Sequence, residues 1–285
     1  MLNKILPYIH LMRLERPIGT FLLLWPTLWA LWLAGNGQPD PNIVVIFILG
    51  TLVMRAAGCV INDYADKDID QHVSRTSTRP LTSGVVSTSS AMILFSFLIF
   101  LALILVLQLN LKSILLSIVA LLLAMLYPFT KRITQLPQCF LGLAFSMSIP
   151  MAYAALIDRI PGEAWLIFMG NFCWIVAYDT IYAMADKEED LVIGVKSTAI
   201  LFGTADKLIV GLLHATAFTI IGVTGYLRDS SWHFYLGIGC AVCFAVYQQY
   251  LIKDRDSQKC FRAFLNNNWV GAMLYCGIVL STILS

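Results

Sequence analysis

Long apolar stretches recur from one end of the chain to the other, and short polar or turn-rich segments separate them. A bilayer core about 30 Å thick requires roughly 20 apolar residues in a spanning helix, and these stretches have about that length. They show no period-two alternation of polar and apolar positions, which favours helices over strands. The pattern predicts nine membrane-spanning helices, at 18–34, 43–61, 89–109, 112–127, 137–157, 163–185, 207–227, 232–252 and 268–284.

The segments between the predicted spans are rich in Gly, Pro, Asn or charge. The clearest are 35-GNGQPDPN-42, 128-PFTKRITQLP-137, 158-DRIPGE-163, 228-RDSSW-232 and 253-KDRDSQKCFRAFLNNN-268. None is long enough to form a domain outside the membrane, so residues 1–285 are predicted to form one membrane domain. The composition agrees, since 59% of the 285 residues are hydrophobic and 13% are charged, against about half and a quarter in soluble domains.

The first 17 residues are not typical of a signal peptide. Arg13, Glu15 and Arg16 interrupt the apolar positions, and no cleavage site of small residues follows. An amphipathic helix along the membrane surface is the favoured interpretation, and a short tail outside the membrane is the alternative. The 7 cysteines are odd in number and lie mostly within apolar runs, so they do not form a disulfide framework.

The Lys and Arg residues predict the orientation in the membrane. With nine spans, fifteen of the 19 fall on the side that holds the N-terminus and three on the other, and Arg55 lies within the second span. Positively charged loops remain in the cytoplasm. We therefore expect the N-terminus and the long loops in the cytoplasm and the C-terminus outside.

Acidic residues are concentrated in two short stretches, at the cytoplasmic ends of the second and sixth predicted spans. Asp66 and Asp70 in the first stretch are four residues apart, as are Asp186 and Asp190 in the second. Residues i and i+4 share one face of a helix, so each helix end presents a cluster of carboxylates. Solvated charges at the membrane boundary would be the simpler explanation, but the duplication favours a shared site for a divalent cation.

Carboxylates combined with substrate phosphates are the ligands that Mg²⁺ favours, and basic residues suited to phosphate accompany the acids. They lie on the same predicted side of the membrane, and they are Arg75, Arg79, Lys131, Arg132 and Lys196. Arg55 is different, since an ionisable residue within a span indicates a functional site. It either pairs with Asp63 or Asp66 or faces a cavity that receives an anion.

Two strings carry a resemblance to a known family. The segment 62-NDYADKDID-70 is similar to the NDxxDxxxD motif of the UbiA superfamily of intramembrane prenyltransferases, and 178-YDTIYAMADKEED-190 resembles its second motif, YDTxYAxxDxxxD. Flanking segments resemble the branch of that superfamily that prenylates 4-hydroxybenzoate. They are 13-RLERPIGTFLLLWPTLWALWLA-34, 54-MRAAGCVINDY-64, 75-RTSTRPLTSG-84 and 191-LVIGVKSTAI-200.

The resemblance implies an all-α bundle of nine helices around a central cavity, capped by cytoplasmic loops. It implies that Mg²⁺ and the diphosphate of a polyprenyl donor bind between the two motifs, and that a carboxylate of the aromatic acceptor, 4-hydroxybenzoate, binds Arg55. The expected metal ligands are Asp63, Asp66, Asp70, Asp186 and Asp190. The expected substrate-binding residues are Arg55, Asn62, Arg75, Arg79, Tyr127, Lys131 and Lys196. The expected catalytic residues are Asp66, Asp179, Asp186 and Asp190, with Asp179 or Asp190 assisting deprotonation of the acceptor.

The chemistry implied is transfer of a polyprenyl group to the ring carbon ortho to the acceptor hydroxyl, a step of ubiquinone synthesis. Aromatic side chains can shield the allylic cation through their π faces, and the candidates are Tyr127, Tyr153, Tyr178 and Tyr182. Other members of the superfamily would use a naphthoate, a homogentisate or haem as acceptor. A CDP-alcohol phosphotransferase would require a DGxxAR sequence, which Asp63-Tyr64-Ala65 does not match. A membrane transporter would place ionisable groups near the bilayer midplane.

Overall fold

The computed structural model describes residues 2–71 and 76–284, and in these ranges all regular structure is helical. The helices are α1 (Leu2–Leu11), α2 (Ile18–Ala34), α3 (Pro41–Asp70), α4 (Thr88–Val106), α5 (Leu111–Ile133), α6 (Pro137–Ser146), α7 (Ser148–Ile157), α8 (Gly162–Ile193), α9 (Thr198–Phe202), α10 (Asp206–Leu227), α11 (Trp232–Leu251) and α12 (Ser257–Ile283). Short 3-10 turns at Gly203–Ala205 and Ile252–Asp254 precede α10 and follow α11.

The all-helical, multi-span architecture is confirmed. Within the described ranges, eight helical segments are long and apolar enough to cross a membrane. The remaining predicted span is α2, whose 17 residues extend about 25 Å. Helices α6 and α7 together form the predicted span 137–157. They are separated at Met147, close to Pro150, which has no backbone N–H to continue the hydrogen bonding of a straight helix.

The segment 253–268 was predicted to separate two spans, and most of that prediction is wrong. Helix α12 begins at Ser257, because the carboxylate of Asp256 accepts a hydrogen bond from the backbone N–H of Lys259 at 2.8 Å. This is an N-terminal cap, which satisfies a backbone donor that otherwise has no partner at a helix start. The polar residues after Asp256 therefore extend the last span instead of forming a loop.

Helices α3 and α8 are much longer than the predicted spans that they contain. Their 30 and 32 residues correspond to about 45 and 48 Å, whereas the hydrocarbon core of a bilayer is about 30 Å thick. The acidic stretches therefore lie on continuous helix at the ends of these two spans. Helix α8 ends where Gly194 adopts a left-handed conformation, φ 75°, and its N–H bonds to the carbonyl of Asp190.

Tryptophan side chains join α2, α8 and α12 in the centre of the bundle. The rings of Trp29 and Trp174 lie 5.3 Å apart, and both side chains are almost completely buried. The Trp29 indole donates to the carbonyl of Gly271, and that of Trp174 donates to Asn267 Oδ1. Buried indoles with satisfied N–H groups combine large apolar contact with fixed orientation, so α8 has a defined position against α2 and α12.

A polar cluster joins helix ends on the side of the bundle opposite the acidic stretches. Arg228, after α10, donates to Glu163 Oε1 at 2.7 Å, to Asn36 Oδ1 at 2.7 Å and to the carbonyl of Leu33. Tyr153 of α7 donates its hydroxyl to the same Glu163 carboxylate. These contacts connect the ends of α2, α7, α8 and α10, which fixes one end of the bundle.

Helix α1 confirms that the N-terminal segment is helical between Leu2 and Leu11. Leu11 is fully buried against α3 and α4, while Ile5 and Leu6 are exposed. Helices α4 and α5 also expose large apolar side chains along their length, including Phe97 and Leu122. Exposed apolar surface of this extent is expected for helices that face lipid, as in an integral membrane protein.

Candidate active site

A cavity of about 870 Å³ lies between the ends of α3 and α8 and extends into the bundle. It brings together predicted site residues from the three helices α3, α5 and α8 and from the loops after α3 and α8. Those that line it are Arg55, Asn62, Asp63, Asp66, Asp70, Arg79, Tyr127, Lys131, Asp179, Asp186, Asp190 and Lys196. Arg75, which was also predicted to bind the diphosphate, lies outside the described residues.

The carboxylates of α3 interact with basic side chains at the mouth of this cavity. Arg13 donates to Asp63 Oδ1 at 2.5 Å, and Arg79 Nη1 lies 3.2 Å from the same oxygen. Arg79 also donates to Asp70 Oδ2 at 2.5 Å. Burial disfavours the charge on Arg13, but the surrounding groups, with the Asp63 carboxylate contributing most, together outweigh this effect and raise the pKa of the guanidinium above its usual value.

Asp66 has one paired and one unpaired carboxylate oxygen. Its Oδ2 accepts hydrogen bonds from Lys131 on α5 and from Asn62 Nδ2, the latter at 3.1 Å. Its Oδ1 is buried and has no hydrogen-bond partner among the described residues. A buried polar atom without a partner is costly and requires an explanation, and here it belongs to a carboxylate that lines the cavity and is of the type that binds cations.

The second acidic stretch contributes to the cavity from α8. Asp186 and Asp190 line it near the end of the helix, and Asp179 lies two turns deeper and is buried. Arg55, Lys131 and Asp186 lie close enough to Asp179 to interact with it electrostatically. Glu188, between the two cavity-lining carboxylates, is exposed instead.

The donor set fits a Mg²⁺ ion bound together with a diphosphate. Among the described residues, no three His, Cys, Asp or Glu side chains form a group that could hold a metal ion. The buried Asp66 Oδ1, without a partner among the described residues, is nevertheless a hard oxygen ligand on a side chain that lines the cavity. Mg²⁺ typically takes one or two carboxylates and completes its octahedron with water and substrate phosphates.

Arg55 faces the cavity from α3, about two turns deeper than Asn62. Among the described residues it forms neither a hydrogen bond nor an ion pair, so the alternative of pairing with Asp63 or Asp66 is not observed. Its guanidinium lies against Gly19, in the first turn of α2. An arginine held in this way within a membrane protein can receive an anionic group.

Lys196 and Asp68 have surroundings that differ from those of the central residues. The Lys196 ammonium donates to the carbonyl of Ile133 at 3.0 Å, and its backbone N–H donates to the carbonyl of Lys131. It therefore fixes the loop after α8 against the end of α5, in addition to lining the cavity. Asp68 is exposed and does not line the cavity.

Sequence reasoning missed some residues that line the site. Arg13 lies 50 residues from the Asp63 that it contacts, and its only signal was its place among the basic residues before the first span. Phe261 and Phe264 fall in the segment predicted to be a loop, although their i, i+3 spacing suits one helix face. They lie beside Tyr182, with the Phe264 ring 4.8 Å from the Tyr182 ring.

The aromatic candidates are therefore only partly those expected from the sequence. Tyr127, Tyr178 and Tyr182 line the cavity together with the two phenylalanines of α12. Tyr153 does not line it, since its hydroxyl contacts Glu163 in the polar cluster at the opposite end of the bundle. The tyrosine was misplaced because an apolar span gives no indication of which face its aromatic residues occupy.

Comparisons with known proteins identify the family of this chain. Residues 23–272 match the UbiA prenyltransferase family. Proteins named 4-hydroxybenzoate octaprenyltransferase are 53% identical over 279 residues in Cronobacter sakazakii (98% of this chain, 96% of the relative) and 54% identical over 274 residues in Serratia proteamaculans (96% and 94%).

Solved structures share the fold at lower identity. The apo structure of a UbiA homolog from Aeropyrum pernix K1 has a TM-score of 0.80 and 23% identity, covering 91% of this chain and 97% of that one. A UbiA homolog from Archaeoglobus fulgidus bound to GPP and Mg²⁺ has a TM-score of 0.77 and 18% identity, covering 98% and 100%. The family match and the near full-length relatives together show that this chain belongs to the UbiA prenyltransferase family.

Proposed function

We propose that the protein catalyses Mg²⁺-dependent transfer of a polyprenyl group from polyprenyl diphosphate to 4-hydroxybenzoate. The product is 3-polyprenyl-4-hydroxybenzoate, an intermediate of ubiquinone biosynthesis. The observation that carries the proposal is the cavity, in which two acidic helix ends, basic side chains and the half-buried Arg55 face one space. The relatives named 4-hydroxybenzoate octaprenyltransferase, identical at more than half of the aligned positions, support this acceptor and donor.

The acidic and basic side chains would bind the donor at the mouth of the cavity. Asp66 and Asp70 from α3, with Asp186 and Asp190 from α8, would hold Mg²⁺, and Asp63 would support them through Arg79. The bound metal would supply positive charge that stabilises the leaving diphosphate. Arg79 and Lys131, which contact these carboxylates, would donate to the diphosphate oxygens and stabilise the charge that develops there.

The interior of the cavity suits the polyprenyl chain and the reaction of its allylic carbon. Beyond the acids its walls are apolar, with Leu103, Leu121 and Phe145 among the lining residues. Such walls exclude water, which would otherwise capture the allylic carbon once its bond to the diphosphate oxygen breaks. Tyr127, Tyr182 and Phe264 present aromatic rings to the same space, and their π faces would favour positive charge there.

The acceptor would bind deeper than the diphosphate, between α3 and α8. Arg55 would contact the acceptor carboxylate, which places the phenol ring toward the allylic carbon. Asp179 faces Arg55 across this space. It would accept a proton from the acceptor as the ring carbon ortho to the hydroxyl forms its new bond.

The test is mass spectrometry of products formed by the purified protein in liposomes. With Mg²⁺, 4-hydroxybenzoate and a mixture of polyprenyl diphosphates, we expect 3-polyprenyl-4-hydroxybenzoate, and we expect EDTA to abolish it. Parallel reactions supply a naphthoate, homogentisate or haem as sole acceptor. Prenylation of one of these, without any product from 4-hydroxybenzoate, would contradict the proposed acceptor. Failure with every acceptor, despite a correctly folded protein, would contradict prenyl transfer.

The proposed orientation places the N-terminus and both acidic helix ends in the cytoplasm of a bacterial cell. It places the C-terminus in the periplasm, with residues 1–285 as one domain in the inner membrane. The distribution of Lys and Arg supports this orientation. A phosphatase that is active only in the periplasm, fused after Ser285, is expected to be active. An inactive C-terminal fusion, with an active fusion at the N-terminus, would contradict the orientation.

A further inference from the structure

The guanidinium of Arg55 occupies space that any side chain at position 19 would fill. A Cβ built on Gly19 would lie 2.3 Å from Arg55 Nε, 2.3 Å from Nη2 and 2.6 Å from Cζ. Atoms that are not bonded to each other make their best contacts at about 3.5 Å. Only glycine therefore allows the guanidinium to lie against the backbone of α2 in this way.

This close contact brings the Arg55 guanidinium against the backbone of α2. Among the described residues the guanidinium has no hydrogen-bond acceptor and no ion-pair partner, and it lies against the first turn of α2 at Gly19. The N-terminus of a helix carries partial positive charge, and Pro17 provides no side-chain cap there. A cation in this position is stabilised by nearby anionic groups, so a carboxylate that binds between Arg55 and the start of α2 would be favoured in addition to Asp179.

We propose that Gly19 is a positioning residue, which places Arg55 at the start of α2 to receive the carboxylate of the aromatic acceptor. This inference rests on the proposed function for the identity of the acceptor. It adds that the missing side chain at position 19 of α2 makes room for Arg55. Through Arg55, the site then selects acceptors that carry a carboxylate. The expected ligand class is an aromatic carboxylic acid of the size of 4-hydroxybenzoate.

The substitution Gly19→Ala separates positioning from folding. The added methyl group would displace the end of the Arg55 side chain by about 1 Å, if contacts return to about 3.5 Å. The side chain is flexible and faces a cavity, so it can move without a change of backbone. Alanine is also a better helix former than glycine. We therefore expect no fall in the melting temperature.

The expected kinetic result is specific to the acceptor. In Gly19→Ala, KM for 4-hydroxybenzoate should rise about tenfold, as expected for the loss of one hydrogen bond to a charged group. KM for polyprenyl diphosphate should remain unchanged. The matched control is Gly239→Ala on α11, where an added Cβ meets no atom within 4 Å and which does not line the cavity. It should alter neither KM.

A double-mutant cycle tests whether Gly19 acts through Arg55. In an Arg55→Met background, Gly19→Ala should cause no further rise in KM for 4-hydroxybenzoate, because the group that it displaces has been removed. If the effect of Gly19→Ala remained in that background, the methyl group would be obstructing the cavity directly. That result, or an unchanged KM for 4-hydroxybenzoate in the single variant, would overturn the inference.

Equilibrium binding distinguishes failure of this inference from failure of the proposed function. The Kd for 4-hydroxybenzoate, measured without polyprenyl diphosphate, should rise about tenfold in Gly19→Ala. A wild-type protein that binds the acid with this dependence but forms no prenylated product would contradict the proposed function alone. An equal Kd in both proteins, or no binding to the wild type, would overturn the inference regardless of turnover.

Discussion

Asp66→Asn is expected to lower prenyl transfer at least about 100-fold while leaving the fold intact. The carboxylate is only 2% exposed, and its Oδ1 has no partner among the described residues, so this oxygen can bind a cation without breaking a hydrogen bond within that part of the chain. Asparagine keeps the shape and can still accept from Lys131 and Asn62, but it loses the negative charge. Removing one preorganised electrostatic contact from an active site costs about 10²–10³ in rate.

Asp186→Asn should have an effect of the same size, because the second acidic stretch would bind the same Mg²⁺ and diphosphate. The measurement is the initial rate of prenylated product in liposomes at increasing Mg²⁺ concentration. Both variants should remain slow where the wild type is saturated. Full activity of both variants with excess Mg²⁺ would refute the assignment of the metal site.

Asp68→Asn is the matched control for Asp66→Asn. Asp68 lies on the same helix only two residues away, but its side chain is exposed and does not line the cavity. Its substitution removes the same charge from the same segment, and it should leave the rate within about twofold, as surface substitutions usually have small effects. Equal losses in the two variants would mean that the net charge of α3 matters and not the particular position of Asp66.

The spans and the acidic helix ends could be predicted from sequence because both depend on local patterns. A run of about 20 apolar residues specifies a spanning helix in the absence of any tertiary contact. The four-residue spacing of Asp66 and Asp70, and of Asp186 and Asp190, places each pair on one helix face. The structure shows that these residues do line one cavity.

The other features depend on contacts between residues far apart in sequence. Arg13 contacts Asp63 across 50 residues, and nothing in either segment identifies the other as its partner. Phe261 and Phe264 were missed for another reason, since charged and amide residues around them suggested a loop. The cap at Asp256 and burial of the apolar face outweighed that composition, which shows that tertiary packing overrides local polarity.

The contact of Arg55 with Gly19 also joins residues that are far apart in sequence. Sequence reasoning identified the arginine, because an ionisable residue within a span is conspicuous. It did not predict what the guanidinium contacts, since that depends on how α2 packs against α3. A glycine at the start of an apolar span has many possible explanations, and only the three-dimensional arrangement shows that its missing side chain makes room for a cation.

Lys131→Met is expected to lower both activity and stability, for two separable reasons. The ammonium is the ion-pair partner of Asp66, and it would also contact the diphosphate. Removing one member of a buried pair leaves a buried charge without compensation, which destabilises a fold by about 3 kcal/mol. Prenyl transfer should fall about 100-fold or more, because a cation that stabilises the leaving group is lost.

The double variant Lys131→Met, Asp66→Leu separates these two effects. Replacing both members of a buried ion pair by apolar residues is often neutral or stabilising, so the melting temperature should return to that of the wild type or exceed it. Activity should not return, because both a carboxylate and a cation remain absent. Lys67→Met serves as the control for loss of a lysine at the same end of the bundle, since Lys67 contacts Thr88 and does not line the cavity. Recovery of prenyl transfer together with the melting temperature would mean that the Asp66–Lys131 pair only stabilises the bundle and takes no part in binding the diphosphate.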